Sequence, residues 1–161
     1  MTERARQVLA DCKFAWSKLE DCFAEQEFRI LWIAAVALVR LVGDALEKVD
    51  SKSDNSLDSA IKEAFQSRQK DAPIYRKFIK FERDQLVHRY ESSVYEGDTV
   101  ILGFEIDGAI EMVPVDDCLH KSLENGHYAG EDARDVLKEA IDWWEHELDW
   151  IDNRATDLRG E

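Results

Sequence analysis

Apolar side chains recur at three- and four-residue steps from the start of the chain. Val8, Leu9, Cys12, Ala15, Trp16, Leu19 and Phe23 predict a first helix over about residues 3–24. A second follows at about 26–49. Its centre, Ile30 to Val39, is apolar on every side, which suits a helix enclosed by neighbours or shared between a core and a subunit interface. Arg40 ends the run, and Asp44 stands four residues on as an ion-pair partner. The polar stretch Asp50 to Ser56 predicts a connector, and a shorter helix follows over about 57–70. Pro73 favours a new helix start, so a fourth helix is expected from about Ile74 to Ser92.

The period then changes. Residues 99–106 and 109–115 read as two strands around Asp107-Gly108, a pair suited to a two-residue hairpin turn. Pro114 restricts the second strand to an edge or terminal position. A last helix is expected over about 131–156, with Leu137, Ile141, Trp144, Leu148 and Ile151 on one stripe. Trp143 and Trp150 form a second stripe, which predicts that this helix meets both its own domain and something else. The expectation is a mainly α chain forming a single domain over 1–161. It has a helical core at about 3–95, a β-hairpin at 99–115 and a long C-terminal helix.

Composition narrows the function. With 45% hydrophobic residues and five tryptophans, the chain has ample apolar material for a core and is not an acidic disordered tail. Cys12, Cys22 and Cys118 are odd in number and lack CxxC spacing, so they read as reduced thiols. The N-terminus has no signal-like apolar segment, and the Ile30–Val39 run is too short to span a bilayer. A cytoplasmic protein that does not enter membranes is expected.

The net charge of −14 argues against wholesale binding to a phosphate backbone. Charge is nonetheless uneven. Arg68 to Tyr90 holds seven Lys/Arg and three Asp/Glu, a local +4, which leaves −18 for the rest of the chain. At about 100° per residue, Arg76, Lys80 and Arg83 share one stripe, which makes Arg76 and Lys80 candidate phosphate contacts. Tyr75, Ile79 and Leu86 line one flank of it, with Ile74, Phe78 and Phe81 nearly opposite.

The chemistry-bearing residues in this helix are Arg83, Asp84, His88 and Tyr90. An arginine offers a permanently charged fork matched to phosphate oxygens, and a histidine can act as general acid or base near neutrality. On a straight helix, Arg83 and His88 lie about 140° apart. Either the helix starts or kinks near Asp84, or the working pair is completed across two subunits. Asp84 and His88 are four apart, so Asp84 can orient the imidazole. Tyr90 packs at the rim of a groove or serves as a reactive hydroxyl.

Arg83-Asp84-x2-Val87-His88-x-Tyr90 resembles the ribonuclease signature of HEPN domains, in particular the toxins of HEPN–nucleotidyltransferase toxin–antitoxin pairs. The resemblance covers eight residues by motif and the four helices before Ser92 by pattern. It departs from the family in having Asp rather than the commoner Asn after the arginine, in the added hairpin and in the acidic overall charge. It implies an antiparallel four-helix bundle assembled as a homodimer. It also implies a metal-independent endoribonuclease that needs no cofactor and acts on RNA, with Arg83 and His88 catalytic. Tyr90 would then be the hydroxyl that a nucleotidyltransferase-type antitoxin adenylylates. The alternative is a non-catalytic, HEPN-like homodimeric interaction or regulatory module.

Other constellations are weaker. Cys118, His120, Asp116, Asp117 and His127 are metal-ligand types without a standard zinc spacing, so no metal site is expected. Glu145-His146-Glu147 lacks the second histidine of a metalloprotease helix.

Overall fold

The computed structural model describes residues 1–22, 24–89, 94, 100–106, 108–115 and 121–160, with the backbone alone at 87–89 and over most of the two strands. It is mainly helical. Helix α1 (Glu3–Glu20) and helix α2 (Glu25–Lys48) form a hairpin, and a short 3-10 turn (Asp50–Lys52) leads to α3 (Asn55–Ala64). Helix α4 (Lys80–Arg89) is followed by strands β1 (Val100–Ile106) and β2 (Ala109–Val115), then by α5 (Ala133–Arg159). The strands are antiparallel, with Val100 opposite Val115 and Ile106 opposite Ala109. At the turn between them Gly108 takes φ +79°, a left-handed conformation that favours glycine.

Helices α1, α2, α3 and α5 share one core. Leu9, Cys12 and Leu19 of α1 meet Trp32, Val36 and Val39 of α2 and Leu137, Trp144 and Leu148 of α5, all buried. The Trp144 indole N–H donates to the Val39 carbonyl at 2.9 Å. Gly43 makes this approach feasible, since a Cβ there would lie 3.2 Å from Arg40 Nη1 and 3.4 Å from the Trp144 ring. Of the apolar run on α2, only one side is enclosed. Trp32, Ala35, Val36 and Val39 are buried, whereas Ile30, Ala37 and Leu41 remain exposed.

The first turn of α1 is satisfied from distant elements. Thr2 makes no side-chain cap, and instead the Asp50 carboxylate accepts from the N–H groups of Arg4 (3.0 Å) and Ala5 (2.9 Å). Asp152 of α5 accepts from the Thr2 N–H and hydroxyl at 2.8 and 2.9 Å. Two carboxylates thus meet the positive end of the helix and fill donors that have no partner within it.

The third and fourth helices depart from the sequence expectation in kind. The segment expected as one helix over 57–70 is α3 followed by a π-helical turn, Phe65–Gln69. The segment expected over 74–92 opens with a second π-turn, Tyr75–Ile79, before α4 begins at Lys80. A π-turn carries i→i+5 bonds and so holds an additional residue, a feature that a 3.6-residue period does not register. The second stripe of α5 is also accounted for within the chain. Trp143 packs on Tyr75 with ring centroids 5.7 Å apart, and the Arg68 guanidinium lies 5.2 Å from the Trp150 ring. Among the described residues, no helix is long and apolar enough to cross a membrane.

Candidate functional site

The site helix is anchored by its first turns. Ala72 and Pro73 start it, and the Arg76 N–H donates to the Ala72 carbonyl at 3.0 Å. Ile74, Phe78 and Ile79 are buried, and Phe78 packs against Trp32 of α2 at 6.2 Å between ring centroids. Glu82, one residue before the candidate arginine, is also buried. The helix therefore presents Arg83 and Asp84 at the surface by committing the positions before them to the core.

Arg83 Nη1 donates to Asp84 Oδ1 at 2.7 Å, with the two side chains 36% and 41% exposed. The Asp84 carboxylate is thus engaged by the arginine next to it. Residues 80–89 form one continuous α-helix that begins at Lys80, not at Asp84. His88 lies on this helix about 140° around the axis from Arg83. The His88 side chain and Tyr90 lie outside the described residues.

The basic stripe is redistributed. Because the π-turn adds a residue, positions on its two sides shift by about 100° relative to a straight-helix projection. Arg76, within the π-turn itself, is 63% exposed and lies 3.8 Å from Asp71. Lys77 Nζ lies 3.4 Å from His127 Nδ1. Arg68, the first cation of the island, is bound to the buried carboxylate of Glu147. Lys80 is exposed and borders a cavity.

That cavity, about 470 Å³, was not legible in the sequence. Leu46 and Ile61 line it from α2 and α3, Phe65 and Gln69 from the first π-turn, and Tyr75 from the second. Gln69 is 5% exposed, and its Nε2 is buried without a hydrogen-bond partner among the described residues. Tyr75 is fixed by the Trp143 and Trp144 rings, and the Arg40 guanidinium lies 6.0 Å from its ring.

Among the described residues, no group of three or more His, Cys, Asp or Glu side chains is arranged to hold a metal ion. Cys118, His120, Asp116 and Asp117 lie outside them, and His127 is exposed against Tyr128. Comparison with known proteins returns no matching family model, no matching curated protein and no matching solved structure.

Proposed function

We propose that this chain is a metal-independent endoribonuclease of toxin or defence type, acting at a site shared between two copies of an HEPN-like four-helix bundle with an inserted β-hairpin. The observation that carries the reading is the unbroken course of α4 through Lys80–Arg89. An uninterrupted helix keeps Arg83 and His88 on different sides of one copy, so a two-fold pair of motifs brings a His88 to the other copy's Arg83.

RNA supplies its own nucleophile. In this reading one His88 takes the proton of the 2′-OH as that oxygen attacks phosphorus. The same His88, now protonated, returns that proton through a water molecule to the departing 5′-oxygen. Arg83 binds the non-bridging oxygens as negative charge builds on them. The products are a 2′,3′-cyclic phosphate and a 5′-hydroxyl. Asp84, bonded to Arg83, holds the guanidinium in place until the phosphate arrives, and Arg76 and Lys80 attract the flanking backbone. Tyr90 is the modification site for a nucleotidyltransferase-type antitoxin, and the cytoplasm is the compartment where substrate and antitoxin are met.

The open side of α2 supports the homodimer. Ile30 is 57% and Leu41 45% exposed, and Ala37 lies between them on the same face. The same face supports the second reading, a non-catalytic homodimeric interaction module.

Purified protein incubated with RNA in EDTA tests the proposal. Cleavage leaving 2′,3′-cyclic phosphate ends is expected, and it should be abolished by Arg83→Ala and by His88→Ala. Intact RNA across several substrates, with dimers still present, would favour the interaction module.

A further inference from the structure

We infer that the cavity between α2, α3 and the two π-turns receives one unstacked nucleobase together with its phosphate. Its source in this reading, which rests on the proposed ribonuclease activity, is single-stranded RNA. A free mononucleotide carries the same chemistry.

The lining selects for such a group. At about 470 Å³ the cavity is within the range of small-ligand sites, and its floor is apolar at Leu46 and Ile61. Gln69 lines it, and its buried amide Nε2 has no hydrogen-bond partner among the described residues. A buried donor without an acceptor is unfavourable, so an occupant with a carbonyl oxygen or ring nitrogen at its inner edge is favoured. Nucleobases carry both. Phe65 is 50% exposed at the cavity, an apolar ring on which a base can stack. Tyr75 supplies a second ring, already immobilised by Trp143 and Trp144.

Charge sets the form of the ligand. The lining has three cations, Arg40, Lys62 and Lys80, and two carboxylates, Glu47 and Asp58, a net +1. Lys62 is bound to Asp58 at 2.6 Å and Arg40 to Asp44 at 3.3 Å, which leaves Lys80 as the lining cation placed to meet a phosphate. This suits the single charge of a phosphodiester better than a polyphosphate, which would meet Glu47. Lys80, the first residue of α4, joins the cavity to the helix of Arg83. The π-turns explain why these groups converge. Such turns are frequent at functional sites, and here both contribute lining residues, Phe65 and Gln69 from one and Tyr75 from the other.

The test uses His88→Ala protein, to keep RNA intact, and titrates it calorimetrically with the four nucleoside monophosphates and with single-stranded hexanucleotides of each base. One base should bind best in both forms. Phe65→Ala, which removes a half-exposed ring, and the near-isosteric Gln69→Leu should each weaken it about tenfold. In protein with His88 intact, the same two variants should erase the preference for one base beside the cut while cleavage continues. Unfolding curves matching those of the parent protein exclude misfolding as the cause. RNA cut with an unchanged pattern in both variants, and no mononucleotide bound, overturns the inference and leaves the ribonuclease reading standing. Mononucleotides bound in a Gln69-dependent way with no RNA cut sustains the cavity with free nucleotide as its source, and sinks the ribonuclease reading. Neither binding nor cutting overturns both.

Discussion

Glu147, in the middle of α5 and 2% exposed at its side chain, is neutralised by Arg68, whose Nε and Nη2 lie 2.9 and 2.8 Å from its Oε1. The pair ties the first π-turn to α5, and the guanidinium also lies over Trp150. Removing one partner of a buried pair leaves the other charge without compensation. Arg68→Ala should therefore destabilise the fold by about 2–3 kcal/mol, somewhat below a fully buried pair because the guanidinium is 40% exposed. The double variant Arg68→Met/Glu147→Leu should recover part of that loss. Urea unfolding of the three proteins measures both, and an Arg68→Ala midpoint equal to wild type would contradict the role given to the pair.

A composite site predicts complementation. Arg83→Ala and His88→Ala proteins, each inactive alone, should regain activity when unfolded together and refolded. Half the dimers are then mixed, and each mixed dimer holds one intact Arg83–His88 pair, giving roughly a quarter of wild-type cleavage. Adding Ile30→Glu and Leu41→Glu should abolish the recovery and shift the sedimentation coefficient toward a monomer. If mixing restores nothing while dimers persist, the pair works within one copy.

Cys12 should be inert. Burial pushes its thiol up to about 12, and its Sγ contacts the Ala35 carbonyl oxygen at 3.5 Å. Since the thiolate is the reactive form, iodoacetamide at pH 8 should leave Cys12 unmodified in native protein and label it only after denaturation. Burial, aided by Glu27, also raises the Cys22 thiol, so slow labelling is expected there too. Peptide mapping decides, and rapid native labelling of Cys12 would be the contrary result.

Asp132 caps α5 and should make stability acid-sensitive. Burial alone would raise its carboxyl. Hydrogen bonds from the Arg134 side chain and from the Arg134 and Lys121 N–H groups outweigh that effect and hold it below the ordinary range. A carboxyl lowered by folding contributes stability that is fully present above its unfolded value, roughly 3.9, and is lost as pH falls through the folded value. Asp132→Ala should cost about 1–2 kcal/mol at pH 7 for the lost cap. The gap to wild type should close as pH drops below about 4. A gap constant down to pH 3 would show that the carboxylate charge is not what stabilises this end of the helix.

Helix positions were largely readable because their apolar spacing is regular. The expected 26–49 and 131–156 lie within a few residues of the observed Glu25–Lys48 and Ala133–Arg159. The first helix stops earlier than expected, at Glu20. Polar residues buried by long-range pairing escaped the sequence reading. Glu147 looked like part of a failed metal motif, yet it is the buried partner of a cation 79 positions away. Glu82 and Gln69, polar residues that no spacing pattern singles out, are buried as well. The motif residues Arg83 and Asp84 were identifiable from their spacing. Their mutual bond was not, because side-chain direction depends on where the preceding π-turn places the helix.

The π-turns also couple the cavity to the architecture in a hereditary sense. Each is one residue of surplus chain at a helix end, the first closing the run begun by α3 and the second near the start of the run completed by α4. Loss of a single codon within Phe65–Gln69 would draw Phe65 and Gln69 out of the recess and Arg68 away from Glu147 together. A lineage can therefore discard this recess in one step only by also giving up the stability of that buried pair.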